Sequence, residues 1–179
     1  MHRALEHQVV VSQVEGAAAL LGREPAHRVS PRAKWMWLCS EAISSVVVIG
    51  ILIWVWTKDW IPSPWDTTLL VLAIVEAIVS MIVQPQWRYR VHRYEVTDQA
   101  VYTQHGWLNQ ERRIAPIPRI QTVDTERGPL AQLFKLSTVT ITTASAKGAL
   151  RIVGLDRTEA DRIAADLTRI AAADGGDGT

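Results

Sequence analysis

Two stretches of the chain are apolar on every face. Trp35–Trp56, WMWLCSEAISSVVVIGILIWVW, carries one charge in 22 residues. At a rise of about 1.5 Å per residue such a helix spans roughly 33 Å, enough to cross a hydrocarbon core. Thr67–Val83, TTLLVLAIVEAIVSMIV, has 17 residues and again a single charge, and the uncharged Gln84, Pro85 and Gln86 extend it. A core helix of a soluble bundle keeps a polar face, and neither stretch has one. A cleaved leader would start earlier and stand alone. The pattern predicts a transmembrane hairpin over residues 35–87, with spans of about 35–56 and 67–84. Its connector, Thr57–Trp65, is short and holds two prolines.

After Arg88 the hydrophobic period changes from helical to alternating. His92, Tyr94 and Val96 alternate with Arg93, Glu95 and Thr97, which reads as a strand. Asp98-Gln99 breaks the run and Ala100–His105 resumes it, so a hairpin is predicted. Gly106 precedes a third run, Trp107–Ile114, and Pro116 and Pro118 confine the next residues to an edge or a bend. Ile120–Thr125 alternates again, Gly128-Pro129 opens a short helix over Leu130–Phe134, and Ser137–Thr143 and Ala149–Val153 read as two more strands. Asp156 with Glu159 three residues on has capping-box spacing, and Ala160, Ile163, Ala164, Leu167, Ile170 and Ala171 share one helical face.

The predicted fold is therefore α+β: a two-helix transmembrane hairpin followed by a PH-like antiparallel β-barrel or sandwich, capped by a C-terminal α-helix. A bent antiparallel sheet leaves one corner open, and the apolar stripe of the last helix can plug it. Roughly 85 residues is a small but adequate size for such a core. The expected organisation is a cytoplasmic N-terminal segment (1–34), the hairpin (35–87), the PH-like domain (88–173) and a disordered tail (174–179). The N-terminal segment carries mixed charges and is expected as a flexible lead-in, with a short amphipathic helix from Val9–Val11 and Ala17–Leu21 as the alternative.

These segments carry a family resemblance. SPRAKWMW before the first span, YEVTDQAVYTQHGWLNQERRIAPIPRIQTVD and GPLAQLFKLSTVTITTA make the chain similar to the YdbS-like bacterial PH-domain membrane proteins. The family's Tyr-x-Val-Thr strand falls at Tyr94–Thr97, its Gly before the third strand at Gly106, its Ile-Gln-x-Val segment within Ile117–Val123 and its Leu-Phe-Gly-Leu step at Leu133–Leu136. Lys135 stands where that step has Gly, so a different turn conformation is expected there. The resemblance implies a fold, a membrane location and oligomeric assembly, and no enzymatic activity.

Charge and aromatic placement orient the hairpin. Arg23, Arg28, Arg32 and Lys34 precede the first span and Arg88, Arg90 and Arg93 follow the second, whereas the connector's only basic residue is Lys58. Both termini are therefore expected in the cytoplasm of a bacterial inner membrane, with the connector outside. Trp35, Trp37, Trp54, Trp56, Trp60, Trp65 and Trp87 stand at or beside the span ends, where indole settles at headgroup level. A net charge of +1 argues against nucleic-acid binding, and one cysteine, Cys39, excludes an internal disulfide.

Candidate chemistry is sparse. Glu41 and Glu76 are carboxylates inside hydrocarbon, costing about 2.5–3.5 kcal/mol on insertion scales, so a polar contact within the hairpin or between protomers is expected of them. A proton or ion path is the sharper alternative. Arg88, Arg90 and Arg93 are placed to touch anionic headgroups, and Arg112, Arg113 and Lys147 could line a headgroup pocket, although interleaved acids favour a solvated face. The five histidines show no metal-ligand spacing, and no phosphate loop or nucleophile elbow occurs, so no metal, no cofactor and no catalytic site are expected. The function expected is a non-enzymatic, membrane-anchored adaptor or accessory subunit whose partners are the lipid bilayer and a second protein or copies of itself. A sensor of anionic headgroups and a small transport or channel component using Glu41 and Glu76 are the alternatives.

Overall fold

The computed structural model describes residues 23–58, 60, 64–106, 110–144 and 148–175. Two long helices come first, α1 (Ala33–Trp56) and α2 (Trp65–Val91), packed side by side. Both are long and apolar enough to cross a membrane. Their buried contacts are small: Ser45 on α1 and Ala77 and Ser80 on α2. Without a hydrophobic force between helices in lipid, small residues let the backbones approach closely, so this seam is where the pair meets. The outer faces present Val, Ile and Leu, as Val46 and Val75 do. At the connector end Trp54 and Trp60 stack edge-on, centroids 5.1 Å apart.

Beyond α2 the chain forms two antiparallel sheets. The first has the order β1 (His27–Arg28), β2 (Arg93–Val96), β3 (Ala100–His105), β4 (Glu111–Pro116); the second has the order β5 (Ile120–Glu126), β6 (Leu136–Thr143), β7 (Leu150–Asp156). A 3-10 turn at Ile117–Arg119 follows the Pro116 bend and leads into β5. The short helix α3 (Pro129–Leu133) links β5 to β6, and α4 (Arg157–Gly175) follows β7. Val101, Ile117, Leu136, Val139, Ile141 and Leu155 fill the space between the sheets, and Ala160, Ile163 and Leu167 of α4 close it. This is the PH-like sandwich after a helical hairpin that the periodicity predicts. The start of the third run at Trp107, Lys147 and the tail beyond Gly175 lie outside the described residues.

The stretch Arg23–Lys34 departs from the expectation of a flexible lead-in. His27 and Arg28 pair with Tyr94 and Arg93 as an edge strand, and Pro25, Val29 and Ser30 are buried. Glu95, itself buried, receives the Arg23 guanidinium and the Ala26 N–H (3.1 Å), while the Tyr102 hydroxyl donates to the Arg23 carbonyl at 3.0 Å. A two-residue strand has no period of its own. It exists because the free edge of β2 has backbone groups to satisfy.

Trp37 is a second departure. Expected at the membrane interface, it is only 3% exposed and sits in the domain core. Gly154 makes that possible: with φ +83, it lets β7 approach the root of α1, against Ala33, Val29 and Trp37, and its carbonyl accepts the Ser30 N–H at 2.9 Å. The first turn of α1 therefore belongs to the domain.

Candidate functional site

The junction where α1 and α2 meet the sheets brings several polar and aromatic side chains together. Arg88 lies over the Trp37 ring at 5.0 Å and is in electrostatic reach of Glu41. Trp37 in turn contacts the His92 ring (centroids 5.1 Å), and His92 faces His105 at 6.3 Å. His92 Nδ1 donates to the Arg88 carbonyl at 2.7 Å, closing the last turn of α2. Burial, with the nearby Arg88 and His105 charges, pulls the His92 pKa down to about 4, so this imidazole is neutral at physiological pH. His105 Nε2 lies 3.5 Å from Glu111. On the neighbouring corner, Lys34 sits over the Tyr89 ring at 4.1 Å.

The two glutamates of the hairpin are not equivalent. Glu41 is half-buried beside α2, toward the domain end of the hairpin, within electrostatic reach of Arg88. Glu76 is exposed, on a flank of α2 next to the seam residue Ala77. It follows Trp65 by 11 residues, or roughly 16 Å, which is about half a hydrocarbon core. Glu76 has no hydrogen bond or ion pair among the described residues. The helix ends place them at different depths, because α2 runs on to Val91 whereas α1 starts at Ala33.

The candidate basic residues are spread over several surfaces. Arg93 pairs with Glu24 at 3.1 Å and donates to the Pro25 carbonyl, so it fastens the N-terminal strand. Arg113 is held by Glu111 (2.6 Å) and the Ala149 carbonyl (3.2 Å). Arg112 is exposed, in register with Gln104 and through it with Arg93, and Arg90 is exposed near the end of α2. Of the tryptophans, Trp35, Trp54, Trp56, Trp60, Trp65 and Trp87 are exposed at the span ends.

Sequence reading missed two features. One is an open groove of about 1210 Å³ beside the root of α1, lined by Arg32, Arg127, Lys135, Asp156, Arg157 and Glu159. Its cations are largely spoken for: Arg32 pairs with Asp156 (3.3 Å) and Arg127 with Asp161 (2.8 Å). The other is Leu133 on α3, 72% exposed. No sequence signal marked it, because a five-residue helix is too short for periodicity to assign faces.

Comparison with known proteins agrees with this architecture. A family model described as a bacterial PH domain matches residues 17–171. Across 152 residues the chain is 32% identical to the UPF0699 transmembrane protein YdbS of Bacillus subtilis (strain 168), covering 83% of this chain and 94% of that protein. No solved structure gives a significant match. The chain belongs to the bacterial PH-domain family, among its YdbS-like membrane proteins.

Proposed function

We propose that this bacterial PH-domain membrane protein is a non-enzymatic adaptor or accessory subunit, one that assembles with copies of itself or with a partner membrane protein. In this reading both termini lie on the cytoplasmic side of the inner membrane, as the Lys and Arg distribution supports, and the PH-like domain is displayed there. The observation that carries the proposal is Glu76, a carboxylate on an exposed flank of a spanning helix at mid-depth. A carboxylate facing lipid at that depth costs about 2.5–3.5 kcal/mol, and cover from another chain's helix removes the cost. Glu41 needs no such cover, because Arg88 lies within its reach.

The test is crosslinking in native membranes, followed by purification and mass measurement, with Glu76→Leu in parallel. A discrete oligomer or one defined partner is expected for the native chain. Interhelical polar contacts are worth about 1–2 kcal/mol, so Glu76→Leu should weaken association by roughly 5- to 30-fold. A native chain that stays monomeric, retaining lipid alone, overturns the reading.

A further inference from the structure

Among the described residues, every strongly exposed large apolar side chain lies between Trp35 and Trp87, with one exception: Leu133, 72% exposed. That exception is not on a remote surface. α3 lies beside α1, and its Ala131 and the adjoining Phe134 pack inward on the domain core, which leaves Leu133 turned away from it. Counting about 20 residues for a hydrocarbon core of about 30 Å back from Trp56 puts the entry of α1 into the bilayer near Trp37. Ala33 and Trp37 are clamped to the domain by Gly154 at that same level, and Arg32, just before α1, shares a groove with Gln132 and Lys135. The layer that receives the exposed Trp35 on the first turns of α1 is thus the layer α3 faces.

The geometry points to α3 as a third membrane contact, with Leu133 dipping into the headgroup–acyl boundary of the bilayer that the hairpin spans. The occupant is lipid, because α3 is fixed beside the point where an apolar helix leaves the domain, and a bilayer surrounds that helix there on every side not covered by protein. Lys135, exposed and next but one in sequence, is a cation at the edge of the same surface, placed to keep its ammonium among phosphates while its stem lies along apolar groups. A third contact away from the helix axes sets which face of the sandwich meets the membrane.

The test uses the full chain with Cys39→Ser and a nitroxide attached at Leu133→Cys, reconstituted in vesicles of phosphatidylethanolamine and phosphatidylglycerol. A second label at Thr168→Cys, on the exposed side of α4, serves as the aqueous reference. Far-ultraviolet circular dichroism matched to the unlabelled chain confirms folding. The label at 133 should be relaxed by oxygen in preference to a water-soluble nickel chelate, at a depth of about 5–10 Å below the headgroups. The label at 168 should show the reverse. A label at 133 that behaves like the one at 168 overturns the proposal. So does one shielded from both reagents, because protein rather than lipid would then cover it.

Discussion

Replacing Gly154 with alanine should loosen the root of the first spanning helix from the domain. Gly154 has φ +83, a left-handed conformation that costs an L side chain about 1–2 kcal/mol. An added Cβ would also stand 2.9 Å from the Ala33 Cβ, with Trp37 and Val29 at 3.8 and 3.9 Å. Ala33 is fully buried at the start of α1 and cannot retreat without moving the helix, so an overpacking cost of about 1–3 kcal/mol is added. The sum is roughly 2–5 kcal/mol. At about 4 °C per kcal/mol the thermal midpoint of the micelle-solubilised protein should fall by about 10 °C or more. The double variant Gly154→Ala, Ala33→Gly separates the two causes, because it removes the steric partner and leaves the backbone strain. It should recover the packing share and no more. A Gly154→Ala protein as stable as the native one, or a double variant that recovers nothing, would refute the claim that close approach at Gly154 holds α1 to β7.

Two further outcomes are expected from local geometry. Lys135 adopts φ 57, so Lys135→Gly should remove about 1–2 kcal/mol of backbone strain and return part of it as unfolded-state entropy, raising the thermal midpoint by a net stabilisation of about 0.5–1 kcal/mol; a lower midpoint would contradict it. His92 has its pKa lowered from 6.5 to about 4, so between those values the unfolded chain binds a proton that the folded one does not. Stability should therefore be unaffected by His92 above pH 6.5 and fall as pH drops from 6.5 toward 4, by on the order of 3 kcal/mol in all. Denaturation midpoints across that range should show the slope flattened in His92→Gln, which can still donate to the Arg88 carbonyl, and an unchanged slope would assign the pH dependence to other groups.

Much of the fold is legible from local pattern. Period-two runs mark β2, β3, β5 and β6 within a residue or two, and the 3.6-residue stripe Ala160, Ile163, Leu167 marks the helix that closes the core. The expectation of a different turn at Lys135 does not hold, because the lysine keeps the left-handed φ of 57 that a glycine favours and the surrounding turn imposes it. The candidate site is far less legible. Arg88, Arg90 and Arg93 look like one basic cluster in sequence, yet Arg88 covers Trp37, Arg90 is exposed and Arg93 binds Glu24. Residues two or three apart where a helix gives way to a strand point in unrelated directions.

Features that depend on a residue's neighbours along the chain needed no coordinates: two long helices without a polar face, the order of most strands, and the C-terminal amphipathic helix. Hydrophobic periodicity is a one-dimensional property, and solvent reads it locally. Features that depend on which surfaces meet came from packing. The edge strand His27–Arg28 forms because β2 offers an unpaired side. Trp37 leaves the interface for the core because a residue without a Cβ, 117 positions later, lets β7 reach it. Glu41 and Glu76, alike in composition and surroundings along the chain, part company because one faces a neighbouring helix and the other faces outward. Which face a residue presents is set by helix ends and packing contacts between segments far apart in sequence, and a pattern of neighbours carries no record of those.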